Sequence, residues 1–246
     1  MQEGQLHNQA LLNEKIDGYL SYEVFNRFHA DSYVFCFSAP SSKVFRNAIA
    51  QEKKYKGNRG QGVDEYFYTN KWDDMAYVYE YINSRYQTLF MDDLEADDIL
   101  SMVQNEHTFI YSEDKDLRQV PGWHWDQDQN RIIPITEEDA MRNLISQLVK
   151  GDSGDNIPGL KGFGPKAVEL FDQEVLVKNL DINQSIALAI SRYTDKLGVH
   201  KGYDTFVEMW TLLNMRTNRG EYSKEKYAKI YTTIDELCKA NGYDKA

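Results

Sequence analysis

The sequence predicts an α/β fold in which a mostly parallel central sheet, flanked by helices, is followed by a helical C-terminal region. Two short apolar runs, Tyr33–Phe37 (YVFCF) and Thr108–Ser112 (TFIYS), have the continuous hydrophobic character of strands buried on both faces. Segments with helical spacing of apolar residues lie between them, and strands alternating with helices are typical of parallel sheets. Beyond Pro165 the chain alternates helical patterns with breaks.

The remaining elements follow from spacing and from start and stop signals. Apolar residues at every fourth position predict a core-facing helix over Leu11–Phe28: Leu12, Ile16, Leu20, Val24 and Phe28. Thr136 followed by three acids is an N-cap signature, and Gly164-Pro165 is a helix start. The predicted elements of the middle of the chain are helices over Trp72–Arg85, Leu94–Val103, Thr136–Lys150 and Pro165–Phe171, a strand over Thr88–Met91 and a hairpin over Pro121–Ile135.

Composition narrows the class of protein. The 246 residues carry a net charge of −11, which argues against broad, charge-driven binding of nucleic acid. No apolar run is long enough to span a bilayer, and no signal-peptide pattern opens the chain. Cys36 and Cys238 lie far apart without metal-site spacing, so we expect two buried thiols in a reducing, cytosolic setting. The five histidines form no cluster, which argues against a zinc site.

Seven acids fall into three groups, each just beyond a buried element: Glu95, Asp97 and Asp98, then Asp114 and Asp116, then Asp152 and Asp155. Each group alone has an ordinary explanation, as a helix N-terminus, an Asx turn or a surface loop. Placed together, these carboxylates could not all stay ionised without counter-charge. Mg²⁺ removes that objection because it prefers oxygen ligands, and two ions roughly 4 Å apart can activate water for phosphodiester hydrolysis.

Two further segments could contact phosphates. The segment 43–59 concentrates lysines and arginines around Tyr55, a pattern that fits either a solvated face or a nucleic-acid contact. Gly151–Ala167 (GDSGDNIPGLKGFGPKA) combines glycines that permit close backbone approach with a helix start, and backbone N–H groups beside a helix start can bind a phosphate. Lys161 and Lys166 flank its turn.

The segment GDSGDNIPGLKGFGPKA resembles the helix–three-turn–helix signature of the flap endonuclease and 5′–3′ exonuclease family, which includes the 5′-nuclease domain of bacterial DNA polymerase I and phage exonucleases. EADD at 95–98, DKD at 114–116 and GDSGD at 151–155 are similar to three acidic motifs of that family, in the same order. YKGNR at 55–59 resembles the segment that leads into the arch through which single-stranded 5′ ends pass. The resemblance implies a PIN-like 5′-nuclease catalytic domain over residues 1–135 and a helix–three-turn–helix DNA-binding region over 136–246.

The resemblance also implies an activity, a site and partners. The seven acids would bind two Mg²⁺ ions, with Mn²⁺ as a substitute, and K⁺ would bind at the glycine-rich turn. Lys56 and Arg59 would meet the scissile or flap phosphates and count with the acids as catalytic residues. The implied DNA contacts are Lys53, Lys54, Lys56, Arg59, Gly159, Lys161, Gly162, Gly164 and Lys166. The expected protein is a monomer that cleaves DNA at 5′ ends, flaps or gaps, in phage replication or recombination in the cytoplasm of an infected bacterium.

Two departures from the family pattern keep alternatives open. Family members begin with an apolar strand that ends in an aspartate metal ligand, and residues 1–11 contain no such strand, while Asp17 lies within the helical stripe. Ser38 stands where the family often has another aspartate. We expect a gap in the sheet and a chain that starts late. The alternatives are a catalytically impaired, structure-specific DNA-binding protein of the same fold and a PIN-type ribonuclease, against which the helix–three-turn–helix signature counts.

Overall fold

The computed structural model describes residues 3–59, 75–160 and 165–215, together with single helical positions at 232, 236, 239 and 240. Helix α1 (Glu3–Tyr19) continues through a π-helical turn (Leu20–Phe25) and one further turn (Asn26–Phe28). The predicted stripe therefore lies on one helical segment, and Leu20 and Val24 are buried. His29 adopts a left-handed conformation that ends this helical segment before the first strand.

The α/β class is confirmed, with five strands in the described residues: β1 (Val34–Phe37), β2 (Gln87–Phe90), β3 (Phe109–Ile110), β4 (Gly122–Asp126) and β5 (Arg131–Ile135). β1 pairs in parallel with β2, and β3 pairs in parallel with β4. β4 and β5 form the predicted antiparallel hairpin. In the described part of the chain these strands form two small sheets, β1-β2 and β3-β4-β5, where one central sheet was predicted.

The helices follow the predicted order. They are α2 (Arg46–Ile49), α3 (residues 75–83), α4 (Ala96–Val103), α5 (Glu137–Lys150), α6 (Pro165–Val177), α7 (Ile182–Leu197) and α8 (Val199–Leu213). α3 is the described part of the helix predicted over Trp72–Arg85. The Thr136 side chain accepts a hydrogen bond from the Asp139 N–H, as its N-cap signature predicts. α6 runs two turns further than the predicted end at Phe171.

The largest apolar core lies among the C-terminal helices. Leu148 of α5, Tyr193 of α7 and Met209 of α8 are fully buried there, and the Tyr193 hydroxyl donates to the Leu148 carbonyl at 2.5 Å. The same core includes Val44 and Tyr55 from the N-terminal half, so packing crosses the predicted boundary between residues 135 and 136. That boundary stays a prediction. A smaller core packs α4 against the β1-β2 sheet.

The structure also bears on two expectations from composition. Cys36 is a free thiol in β1, and burial, together with the nearby Asp97 carboxylate, raises its pKa to about 12. Cys238 lies outside the described residues. Among the helices of the described ranges, none is both long and apolar enough to cross a bilayer.

Candidate functional site

The three acidic groups meet at one cavity of about 320 Å³. Six of the seven predicted acids line it: Glu95, Asp97, Asp114, Asp116, Asp152 and Asp155. Each group sits where an element ends, after β2, after β3 and at the C-terminus of α5. Because β1 and β3 run parallel to their neighbours, these carboxyl ends can gather on one side of the molecule. Acids up to 60 positions apart thus share one cavity, and Lys56 and Arg59 line it as well.

Asp98 is the predicted acid that does not line the cavity. It is fully buried in the first turn of α4, where Arg46 binds both of its carboxylate oxygens at 2.6 and 2.8 Å. Arg46 is itself 3% exposed and donates to the Leu212 carbonyl at 2.8 Å and to Glu95 at 3.1 Å. Burial alone would lower the pKa of Arg46, but the Asp98 carboxylate raises it above its ordinary value. Arg46 therefore belongs to the interior and not to an exposed basic surface.

Tyr55 and Lys56 connect the first and third acidic groups. The Tyr55 hydroxyl donates to Glu95 Oε2 at 2.5 Å and lies 2.7 Å from Asp155 Oδ2. Burial and these two carboxylates raise the pKa of Tyr55, while Arg46 acts in the opposite sense. Lys56 Nζ pairs with Glu95 Oε1 and lies 3.5 Å from Asp155 Oδ2. Glu95 and Asp155 are therefore held by cations and a phenol in this state of the site.

Arg59 adds an exposed cation at the rim of the cavity. It pairs with Asp155 Oδ1 at 2.5 Å, and its side chain is 55% exposed. Lys53 and Lys54, also predicted to contact DNA, are exposed on the same segment. Lys56 has a left-handed backbone (φ 52°), and its N–H donates to the Asp155 carbonyl at 2.9 Å. The segment 53–59 is thus attached to the third acidic group by backbone and side chain together.

The other acids crowd together with little counter-charge. Burial raises the pKa of Asp97 to about 7, and Asp114 and Glu95 add to the effect. Burial likewise raises the pKa of Asp116 to about 7, together with a hydrogen bond to Asp152. Burial would raise the pKa of Asp152 too, but the hydrogen bonds from Asp116 and from backbone N–H groups lower it. The hydrogen bond between Asp116 and Asp152 thus connects the second and third acidic groups.

The donor chemistry fits a hard divalent cation. Every cavity-lining acid offers carboxylate oxygens, and because the pKa values of Asp97 and Asp116 are raised, a cation of charge +2 would compete with protons for these two side chains. Among the described residues, no three acids already converge in a ready metal-binding geometry. Mg²⁺ keeps several waters and takes one or two carboxylates directly, so such a preformed cage is not required.

The glycine-rich turn is described only up to residue 160. Gly151 (φ 75°) and Gly159 (φ 57°) approach so closely that a Cβ on Gly151 would lie 2.5 Å from the Gly159 nitrogen. Asp152 and Ile157 exchange two backbone hydrogen bonds between them, of 2.9 and 2.7 Å. α6 begins at Pro165 as predicted, and Lys166 is exposed. The predicted DNA contacts Lys161, Gly162 and Gly164 lie outside the described residues.

Sequence reasoning missed several residues that shape the site. Arg46 was grouped with surface cations, although its position among apolar residues (VFRNAI, 44–49) was a signal of burial. Gln147 of α5 donates to Asp116 Oδ1 at 2.6 Å, and a polar residue on a helix carries no sequence signal for that contact. Ser38 accepts from the Ala96 N–H at 2.9 Å, so it anchors the start of α4. Asp17 accepts from the Tyr81 hydroxyl and does not line the cavity.

Comparison with known proteins identifies a relative that matches most of the chain. It is 25% identical to a 5'-3' exonuclease of Mycoplasmopsis pulmonis (strain UAB CTIP) over 270 residues, covering 92% of this chain and 86% of that protein. No protein-family model matches it.

Solved structures of bacteriophage T5 proteins share its fold. T5 5'-exonuclease with bound zinc ions superposes with a TM-score of 0.66 at 17% identity, covering 90% of each chain. The T5 flap endonuclease in a pseudo-enzyme-product complex with DNA and metal ions gives 0.60 at 17% identity, covering 91% of this chain and 90% of the other. The resemblance to the flap endonuclease and 5′–3′ exonuclease family that the motifs predicted is therefore confirmed, by a relative that matches most of the chain and by the fold.

Proposed function

We propose that the protein is a metal-dependent 5′–3′ exonuclease and structure-specific flap endonuclease that hydrolyses DNA phosphodiesters. The observation that carries the proposal is the cavity where three acidic groups, distant in sequence, meet Lys56 and Arg59. Carboxylates bind divalent metal ions, and lysine and arginine side chains bind phosphates. The lining therefore offers ligands both for metal ions and for a phosphodiester. The relative from Mycoplasmopsis pulmonis and the T5 neighbours with DNA and metal ions support the same reading.

The residues that would hold two Mg²⁺ ions, or Mn²⁺ in their place, are those that line the cavity: Glu95, Asp97, Asp114, Asp116, Asp152 and Asp155. Bound divalent cations supply Lewis-acid chemistry, which makes water nucleophilic near neutral pH and stabilises the leaving oxygen. Asp98 has both oxygens on Arg46, so we assign it the positioning of α4 and of Glu95 instead of direct metal binding.

The protein's own groups bind and orient the substrate. Lys56 and Arg59 now pair with Glu95 and Asp155, and an arriving phosphate would compete for the same N–H groups. The Tyr55 hydroxyl donates a hydrogen bond to Glu95 and so fixes the orientation of that carboxylate. Asp97 and Asp116, whose raised pKa values favour protonation near neutral pH, would bind a cation in their deprotonated form. The glycine-rich turn, with K⁺ at its backbone carbonyls, would hold the phosphates of the adjoining duplex.

The finer features of the proposal follow from the family resemblance. We propose DNA with 5′ ends, flaps or gaps as the substrate, a monomeric enzyme, and a role in phage DNA replication or recombination in the cytoplasm of the infected bacterium.

A second candidate is a catalytically impaired, structure-specific DNA-binding protein. The observation that favours it is that Glu95 and Asp155 are already paired with cations, while no three described acids form a ready metal site. Such a protein would bind flaps and leave them intact.

One assay separates the candidates. Purified protein is incubated with a labelled 5′-flap duplex or a hairpin RNA, each with and without Mg²⁺. Flap cleavage that requires Mg²⁺ supports the proposed nuclease, binding without cleavage supports the second candidate, and cleavage of RNA alone would identify a PIN-type ribonuclease.

The matched variants are Asp114→Asn, in the cavity, and Asp128→Asn, an exposed acid in the β4–β5 turn. We expect Asp114→Asn to lower turnover by about 100-fold or more, as the loss of one group that stabilises charge in the transition state typically does. Its affinity for the flap should stay within about threefold of that of the unchanged protein. Asp128→Asn should change neither. Equal losses of turnover and affinity in Asp114→Asn would mean that this residue positions DNA.

A further inference from the structure

Gln119 lines the cavity of about 320 Å³ where the six acids meet, which we call the acidic cavity, and the proposed chemistry leaves it without a role. It ends the short helical turn Lys115–Gln119 that carries Asp116. The residue is 7% exposed. Its Oε1 atom is buried and, among the described residues, receives no hydrogen bond. A buried carbonyl oxygen without a donor costs free energy, so an unpaired one in a cavity wall points to a partner that enters the cavity.

The orientation of the Gln119 amide follows from Asp116. Gln147 donates from Nε2 to Asp116 Oδ1 at 2.6 Å, so the Oε1 atom of Gln147 faces away from that carboxylate. Gln119 Nε2 donates to the same Gln147 Oε1. Turning either amide over would place two acceptors against each other, because an ionised carboxylate only accepts. The chain Gln119–Gln147–Asp116, which we call the amide relay, therefore leaves the Gln119 oxygen as its unpaired atom.

A second buried glutamine shows that burial alone does not produce this arrangement. Gln104 is also 7% exposed, and it does not line the acidic cavity. Its Nε2 donates to the Trp123 carbonyl at 3.1 Å, and its Oε1 accepts from the Thr108 hydroxyl at 3.1 Å. Both ends of the Gln104 amide are paired within the fold. The unpaired oxygen of Gln119 is thus tied to its place in the cavity wall.

The chemistry of the cavity limits what can donate to this oxygen. The atom is closed to bulk solvent, so the donor must be small. Mg²⁺ retains several waters when it binds to carboxylates, and the hydrogens of those waters need acceptors. Asp116, at one end of the amide relay, is among the acids that would hold the ion. A water on that ion is a small donor that is brought to the cavity by the carboxylates themselves.

We propose that Gln119 Oε1 accepts a hydrogen bond from a water carried by the divalent cation, and that Gln147 is a positioning residue that orients Gln119 and Asp116 together. The inference rests on the proposed function, because it assumes that the acidic cavity binds a divalent cation. It assigns Gln119 a contact with the ion's water, in addition to the carboxylates that would bind the ion directly. Groups that hold the ligands of a metal ion in this way typically change its affinity by about 10- to 100-fold.

The test measures Mg²⁺ binding to the full chain by isothermal titration calorimetry, without DNA. Gln119→Met keeps the length of the side chain and removes its carbonyl, and we expect it to weaken Mg²⁺ binding about tenfold. The matched control is Gln104→Met, which removes an equally buried amide away from the acidic cavity. It should lower the urea midpoint in EDTA more than Gln119→Met does, because it breaks two internal hydrogen bonds, and its Mg²⁺ affinity should stay within about twofold.

A double-variant cycle separates the contact with water from an effect transmitted through Asp116. If Gln119 acted only through the amide relay, Gln119→Met would cause no further loss of Mg²⁺ affinity in a Gln147→Met background. We expect a further loss of about threefold or more, because the acceptor oxygen is removed as well. Gln119→Asn, which keeps the amide and draws its oxygen back by one methylene, should also weaken binding and replaces Gln119→Met if that variant does not fold.

Three results would overturn the inference: an unaltered Mg²⁺ affinity in the Gln119 variants, an equal loss in Gln104→Met, and no further loss in the Gln147→Met background. Each of these leaves the proposed nuclease intact, since the unchanged protein would still bind Mg²⁺ and cleave flaps. Failure of the unchanged protein to bind Mg²⁺ would contradict the proposed function and this inference together. The two failures are therefore distinguishable.

Discussion

The Arg46–Asp98 pair is expected to stabilise the fold that holds the acidic cavity, and Arg46→Met tests this. Arg46 is 3% exposed and Asp98 is fully buried, so removing the guanidinium leaves a buried carboxylate with the Glu95 N–H at 3.3 Å. Breaking a buried ion pair from one side costs about 3–5 kcal/mol. The Leu212 carbonyl also loses its donor at 2.8 Å, which adds about 1–3 kcal/mol. Since a typical domain is stable by about 5–15 kcal/mol, we expect a variant near the limit of folding.

The measurement is urea unfolding followed by circular dichroism, for Arg46→Met, Asp98→Leu and the double variant. Replacing both partners by apolar side chains is often nearly neutral, so we expect the double variant to recover most of the loss, with a coupling energy above about 2 kcal/mol. The control is Arg192→Met, whose partner Glu174 lies at the surface, and which should cost at most about 1 kcal/mol. An Arg46→Met loss no larger than that of the control, or additive single losses, would refute the reasoning.

Three other predictions concern the site. The pKa values of Asp97 and Asp116 are raised to about 7, so without metal the folded state holds more protons than the unfolded state between pH 4 and pH 7, and stability falls as the pH rises through that window. Urea titrations in EDTA should show this fall in the free energy of unfolding, of which Asp97 contributes at most about 4 kcal/mol. The Asp97→Asn variant should show a smaller fall. A free energy of unfolding that stays constant or rises with pH in the unchanged protein contradicts the pKa shifts. Gly151→Ala should cost at least about 1 kcal/mol in thermal unfolding because of its positive φ and the 2.5 Å contact, whereas Gly18→Ala, with open space in α1, should be neutral or stabilising. A loss in Gly18→Ala as large as that in Gly151→Ala would remove the turn from the explanation. Lys161→Ala should weaken duplex binding and reduce the salt slope by about one unit, and an unchanged slope would exclude Lys161 from the phosphate contacts.

The acidic groups could be predicted because each is a local pattern. EADD, DKD and GDSGD each follow a buried element, and carboxyl ends of parallel strands gather on one side of an α/β fold. The structure brings six of these acids to one cavity, and the local patterns could not tell that the seventh, Asp98, turns inward. Its partner Arg46 lies 52 positions earlier in the chain, and no local pattern connects the two.

The gap in the sheet was predicted because residues 1–11 contain no apolar strand, but only the structure shows that the described strands form two separate sheets. The lack of an apolar strand in residues 1–11 predicted an interruption, but not that β1 and β3 would border an apolar cavity of about 560 Å³. Cavity shape depends on how α1, α3 and α4 pack over both edges, which depends on contacts between distant residues.

By itself, the sequence determined the helix starts, the strand segments, the grouping of the acids and the glycine-rich turn, because caps, hydrophobic period and positive φ are decided within a few residues. Only the tertiary structure decided that Glu95 and Asp155 share Tyr55 and Lys56, that Asp98 belongs to Arg46, and that the strands form two sheets. The physical reason is that the ionisation and orientation of a carboxylate depend on burial and on charges within a few ångströms, and the residues that supply them lie 40 to 100 positions away in the chain.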